Sequence, residues 1–170
     1  FTGKTVGLIG TGSSAIQSIP IIASQAKHLT VFQRTATYSV PARNDAIDKE
    51  YVKDVKANYK EFRELNKQQT AAFGSRIRRG EQSALEVSEA ERRQEFERRW
   101  EEGGFAFLSS YTDFLLNNDA NETVAEFVRE KIYSIVKDPD TAKKLLPKQV
   151  IGCKRLCLDS GYYETFNRSN

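Results

Sequence analysis

The chain has 170 residues, 39% hydrophobic and 29% charged, which is enough apolar material for one substantial core and excludes a disordered tail. Its 26 basic residues are interspersed with 23 acidic ones for a formal net charge of +3, a balance that argues against a nucleic-acid partner with its broad phosphate footprint. No run approaches ~18 consecutive apolar residues and no basic-then-apolar leader is visible, so the sequence reads as a cytoplasmic, globular protein with no membrane partner.

The chain begins at Phe1 and contains no Met, and is expected to be a piece of a longer polypeptide. Thr5-Val6-Gly7-Leu8-Ile9 predicts a strand. Gly10-Thr11-Gly12-Ser13-Ser14-Ala15 follows it and opens a helix, the context a dinucleotide-binding fingerprint requires. Gly10 would permit the tight turn, Gly12 would let backbone N–H groups approach a pyrophosphate, and Ala15 is small enough for the helix to press on the strand. The phosphate would sit on the helix N-terminus, where unpaired N–H groups and the macrodipole favour negative charge. Small residues at this spacing also make ordinary turns, so the fingerprint needs support from elsewhere. Pro20 falls inside the helix, cannot donate to the carbonyl of Ile16, and predicts a kink.

Leu29-Thr30-Val31-Phe32 reads as a second strand, ending in Gln33-Arg34-Thr35. A site for NAD usually places Asp or Glu there to take the ribose 2′-hydroxyl. Arg34 with the Thr35 hydroxyl beside it suits a 2′-phosphate instead, so NADPH is expected over NADH; a solvated strand end is the alternative for Arg34. Tyr38-Ser39-Val40-Pro41-Ala42-Arg43-Asn44 is polar and turn-prone.

Helical periodicity follows. One helix is expected from near Asp48 through Tyr51, Val55, Tyr59, Phe62 and Leu65. The basic cluster Ser75-Arg76-Ile77-Arg78-Arg79-Gly80 lacks interleaved aromatics for base stacking and reads as a solvated loop. Ser88 with Glu91 makes a capping box for a helix reaching Glu102, ended by Gly103-Gly104. Asn121 is expected to cap a third helix, whose Val124, Phe127, Val128, Ile132, Ile135 and Val136 form one apolar stripe. Asp138-Pro139 starts a last short helix with Pro139 at its first position. The stripes are core faces, and no catalytic constellation lies among them.

After Gly152 stand two adjacent cations, Lys154 and Arg155. On a strand or extended loop, neighbouring side chains point to opposite sides, so the pair is able to serve two different anions, or to be merely solvated. Cys153 and Cys157 are four apart and the only histidine, His28, is distant in sequence. Neither a zinc site nor a disulfide scaffold is indicated, and the cysteines are expected to be reduced structural thiols.

Three stretches together carry a family resemblance: Phe1 to Ser14; Leu29 to Thr35 with Ser39-Val40-Pro41-Ala42; and Cys153-Lys154-Arg155 with Gly161-Tyr162-Tyr163-Glu164-Thr165-Phe166-Asn167-Arg168. In order and spacing they resemble a Baeyer–Villiger monooxygenase, over the whole chain. Ser83-Ala84-Leu85-Glu86-Val87-Ser88 resembles the subgroup acting on phenylacetone, steroid and cyclic ketones.

The resemblance implies an enzyme that uses NADPH, FAD and molecular oxygen to convert ketones into esters or lactones. It implies an α/β fold with a Rossmann-like parallel sheet, incomplete here because the family continues past Asn170 into another strand. Residues 1–40 would form the first part of the NADP-binding domain, 41–146 a mainly helical insertion, and 147–170 the return to the NADP and active site. FAD would be bound mainly by regions of the same polypeptide outside this chain, since neither the family's FAD glycine motif nor its Phe-x-Gly-x-x-x-His-x-x-x-Trp fingerprint occurs here. Arg155 matches the family's active-site arginine, Lys154 a 2′-phosphate contact beside Arg34 and Thr35. Thr11, Gly12, Ser13, Ser14 and Gln17 match positions lining the pyrophosphate loop that Gly10 opens, and Ala15 stands where the family commonly has glycine. A flavin-dependent N- or S-oxygenating monooxygenase, or a non-catalytic NADP-binding module, would share the glycine loop.

Overall fold

The computed structural model describes residues 1–69 and 79–170. The chain folds as two compact units, Phe1–Arg43 with Arg79–Asn170, and Asn44–Arg78. Residues 75–78 of the basic cluster lie outside the described residues. Among the described residues no helix is long and apolar enough to cross a membrane.

The first unit opens as the glycine pattern requires. Strand β1 (Thr5–Ile9), helix α1 (Ser13–Gln25) and strand β2 (His28–Phe32) form a parallel βαβ unit with Thr5 opposite His28 and Ile9 opposite Phe32. Helix α1 buries Ile16 and Ile19 completely, and with β1 and β2 alternating between exposed and half-buried residues, one face of this two-stranded sheet is turned to the core. The helix is continuous through Pro20.

A second parallel pair does not follow from the sequence pattern. Tyr38 to Asn44 was expected to turn, yet Ser39–Pro41 forms strand β3 and pairs with β4 (Cys157–Asp159), Ser39 opposite Cys157. Burial is the cause: Ser39 and Val40 are fully buried, and the Ser39 hydroxyl donates to Asp159 Oδ2 at 2.6 Å. The described strands therefore make two separate parallel pairs. A short helix α7 (Tyr162–Thr165) follows β4. Asp159 Oδ1 accepts from the N–H groups of Gly161 and Tyr162, each at 3.2 Å, and Gly161 takes φ +92°, a turn that side chains on Cβ disfavour. Burial pushes the phenols of Tyr162 and Tyr163 well above their ordinary range, so both stay protonated.

Among the described residues the unit Asn44–Arg78 has two helices, α2 (Lys49–Ala57) and α3 (Tyr59–Gln68), where one was expected, and neither buries a residue, so the stripe from Tyr51 to Leu65 is not the core face expected of it. Asn58 makes the break. Its Nδ2 donates to the Asp54 carbonyl at 3.2 Å and the Asp54 carboxylate at 3.0 Å, a side-chain alternative to helical hydrogen bonding. The expected Asp48 start holds, with its carboxylate accepting from Glu50 N–H.

In the first unit, α4 (Glu89–Glu102) carries the Ser88–Glu91 capping box and ends at Gly103, φ +73°. A 3₁₀ segment (Gly104–Ser109) leads toward α5 (Asn118–Ile135) and α6 (Pro139–Leu145). Asn121 does not cap α5. Asn117 does, through Asp119 and Ala120 N–H, because the Asn121 side chain is buried and engaged elsewhere. The apolar stripe on α5 is core as expected: Phe127 packs against Phe96 at 5.3 Å and Phe107 at 5.9 Å between ring centroids, with Trp100 edge-on at 6.0 Å.

Two carboxylates at helix starts should therefore differ in weight. Asp138→Ala removes an exposed cap, whose side chain accepts from Thr141 N–H, and should cost about 1 kcal/mol. Asp159→Ala strips the acceptor from three donors at a buried junction, each such loss being worth about 1–3 kcal/mol, so urea unfolding should show the larger loss for Asp159; equal losses would contradict the account of β3–β4.

Candidate functional site

A cleft of about 510 Å³ opens where β1 and β2 end and the chain enters β4, within the roughly 300–1,000 Å³ range of ligand sites. The glycine loop forms one wall. Gly10 turns the chain with φ +100° while its N–H donates to the Phe32 carbonyl at 2.9 Å, joining the two strand ends. Gly12 is the N-cap of α1; no side chain caps the helix and no acid stands in its first turn, so its leading N–H groups face the cleft as anion donors. A Cβ built on Gly12 would meet nothing within 4 Å, so packing alone does not require glycine there.

Arg34 and Thr35 form the second wall and Lys154 and Arg155 the third. All four residues are exposed, and among the described residues neither the two arginines nor Lys154 has a carboxylate partner. Among the described residues no Asp or Glu lines the cleft. Three unpaired cations around an open helix N-terminus make a concentrated positive field in a chain of nearly balanced charge.

Backbone ties hold these walls. The carbonyls of four consecutive residues are each taken by a different element: Thr35 by the Thr11 hydroxyl at 3.0 Å, Ala36 by Gln149 Nε2 at 2.9 Å, Thr37 by the Tyr163 hydroxyl at 3.4 Å, and Tyr38 by the Cys157 N–H at 3.1 Å. Arg34 thus leaves β2 on a segment with no slack. The Tyr38 phenol is fixed in turn by Arg129 Nη2 at 3.2 Å; burial pushes its pKa up against the opposing pull of that guanidinium.

Of the residues expected at a nucleotide site, Gly10, Thr11, Gly12, Ser13, Arg34, Thr35, Lys154 and Arg155 line the one cleft. Ser14, Ala15 and Gln17 do not. Ser14 and Gln17 are exposed on α1, and Ala15 packs against the core, the part a small residue plays between helix and strand. Thr11 is buried and its hydroxyl proton is committed to Thr35. Lys154 and Arg155 were expected on opposite sides; both line the cleft, because Lys154 lies in a bend and Arg155 in irregular chain ahead of β4, where strand alternation does not operate.

Sequence reasoning missed Thr37 and Cys157. Cys157 Sγ lies 3.4 Å from the Ser13 hydroxyl and 3.9 Å from the Arg155 carbonyl, which links the first turn of α1 to the third wall. Its spacing two residues beyond Arg155 was the available signal. Cys153 is exposed and Cys157 buried, and both are free thiols.

No family model matches the chain. It is similar to a Baeyer–Villiger monooxygenase of Pseudooceanicola batsensis, 41% identical over 171 residues that include 99% of this chain and 31% of the relative. A phenazine N-monooxygenase of Lysobacter antibioticus is 40% identical over 170 residues, again 99% of this chain and 31% of the relative. Among solved structures, an oxidised steroid monooxygenase bound to NADP superposes with a TM-score of 0.92 at 53% identity, covering 100% of this chain and 32% of that one. The chain spans about a third of the length of the curated relatives it matches.

The two loop glycines are separable by experiment. Gly10→Ala must hold a side chain at φ +100° and should lose about 1–3 kcal/mol of stability. Gly12→Ala should leave the unfolding midpoint unchanged yet weaken binding of a pyrophosphate group roughly tenfold, about 1.4 kcal/mol; undiminished affinity for inorganic pyrophosphate by calorimetry would show that the glycine loop does not approach an anion.

Proposed function

We propose, on the premise that this chain belongs to the Baeyer–Villiger monooxygenase family, that it supplies the NADP(H)-binding site of an enzyme oxidising ketones to esters or lactones. The overall balance is ketone, O₂, NADPH and a proton to ester, NADP+ and water. Residues 1–40 and 147–170 supply the walls of the cleft, with 41–146 inserted between them. The rest of the polypeptide holds FAD, and the location is cytoplasmic. The single observation that carries the reading is the cleft itself: three unpaired cations and an uncapped helix N-terminus, with no carboxylate among the lining residues.

That donor set fits NADPH. Backbone N–H groups at Gly12 and Ser13 suit the pyrophosphate, and Gly12 leaves room for it. Arg34, Thr35 and Lys154 suit the 2′-phosphate, the arginine through paired donors and the lysine as a point charge. FAD, when bound, supplies the electron transfer between NADPH and oxygen. Arg155 faces the same cleft, and its guanidinium is suited to stabilise negative charge developing on oxygen. A second reading, N-oxygenation, is supported by the phenazine N-monooxygenase relative. It uses the same nucleotide site and differs in the acceptor, and product analysis with a cyclic ketone and an aromatic amine separates the two.

Arg34→Ala in the full-length polypeptide should weaken NADPH far more than NADH. A charge-assisted hydrogen bond contributes about 1.5–3 kcal/mol, roughly ten- to hundredfold in affinity; equal losses for both coenzymes would remove Arg34 from the 2′-phosphate.

Lys154→Ala should mainly raise the Michaelis constant for NADPH. Arg155→Ala should largely abolish ester formation while flavin reduction by NADPH continues, because its charge acts on the oxygen chemistry. Stopped-flow reduction beside product yield tells the two apart, and near-normal ester formation by the Arg155 variant would refute its assignment.

A further inference from the structure

Asn121 lies one turn inside α5, only 2% exposed, and its side chain serves no part of its own helix. Its Nδ2 donates to the Phe114 carbonyl at 2.8 Å and to the Ile151 carbonyl at 2.9 Å, and its Oδ1 accepts from the Ile151 N–H at 3.1 Å. One amide thus satisfies both backbone groups of Ile151, a fully buried residue, and ties it to the turn containing Phe114. A buried amide with all three bonds made is specific in position, since any shift leaves a desolvated group unpaired.

What that anchor holds is the approach to the cleft. Ile151 is followed by Gly152 at φ +90°, and a Cβ built there would stand 2.5 Å from Leu115 Cδ2. Leu115 follows Phe114, so the same amide fixes the turn and the loop pressed against it. The Cys153 N–H closes back on the Val150 carbonyl at 3.3 Å, and the chain is fixed again from Leu156, buried in the core, and Cys157, whose N–H donates to Tyr38 and whose thiol lies 3.9 Å from the Arg155 carbonyl. Lys154 and Arg155 stand between these anchors, exposed and, among the described residues, without ion-pair partners of their own. Their placement is therefore set from outside the segment.

We propose that Asn121 is a positioning residue for Lys154 and Arg155, holding the loop from Ile151 so that both cations face the nucleotide cleft. It touches neither ligand nor reacting atoms and acts through the backbone of Ile151. The functional consequence rests on the roles given above to Lys154 and Arg155; the anchoring itself does not.

The test uses the full-length enzyme with Asn121→Ala, the gentler Asn121→Ser, and Val128→Ala, a fully buried site on the same helix, as a control for general loss of packing. Hydrogen exchange of the peptide spanning residues 150–157 should quicken about tenfold in the Asn121 variants relative to the control at equal distance below each unfolding midpoint. The NADPH-to-NADH preference and the ester formed per NADPH consumed should fall by about tenfold or more, as expected when supporting groups let a charged side chain drift by about 1 Å, while Val128→Ala leaves both ratios in place. Exchange no faster than in the control, in whichever Asn121 variant folds, overturns the proposal. Faster exchange with both ratios unchanged upholds the anchor and overturns instead the roles of Lys154 and Arg155.

Discussion

The hydrogen bond from the Cys157 N–H to the Tyr38 carbonyl, extended by the parallel pairing of β3 with β4, is the constraint on which the site depends. It joins segments separated by more than a hundred positions in sequence. Without it the glycine loop and Arg34 would form one half of a cleft and Lys154 and Arg155 would belong to another part of the molecule. The buried Ser39–Asp159 bond locks the same junction from the side-chain face, and Asp159 then turns the chain into α7, whose Tyr163 returns to Thr37. The pairing is only three residues long, so its stability comes from buried, satisfied polar groups around it more than from the strands themselves.

Rigidity in this cleft is backbone rigidity. The cations are exposed and unpaired, which is what an anion site requires, because a carboxylate already bound to Arg34 or Arg155 would compete with the ligand. The cost of leaving like charges close together is met by fixing the chain beneath them: four consecutive carbonyls from Thr35 to Tyr38 are held by four different elements, and Ile151 is held at both its N–H and its carbonyl. A backbone held in this way adds little ordering cost on binding, so the cost that is left is that of the exposed side chains themselves.

The βαβ opening was legible from sequence because its signals are local: an apolar strand, small residues at fixed spacing, and a cation at the end of the next strand. The capping box at Ser88 and the proline start at Pro139 were legible for the same reason. What escaped was decided by burial or by distant partners. Ser39-Val40-Pro41 looks like a turn until Asp159 is beside it, and Asn121 looks like a helix cap until Ile151 claims its amide. Asn58 divides a continuous helical pattern through bonds to Asp54 that periodicity does not register. Lys154 and Arg155 both line the cleft because the chain ahead of β4 is irregular, which strand alternation cannot foresee. Thr37 and Cys157 reach the cleft because of the parallel pairing, which no local pattern announced.

We propose that two of the three cations lining the cleft, Arg34 and Lys154, read the extra phosphate of the coenzyme. Equilibrium binding of NADP+ and NAD+ to the full-length protein, measured across a range of ionic strength, addresses it most directly. The account predicts tighter binding of NADP+, with the difference between the two ligands shrinking as salt screens the 2′-phosphate contacts. Equal affinities at low salt, or a difference indifferent to salt, would contradict it.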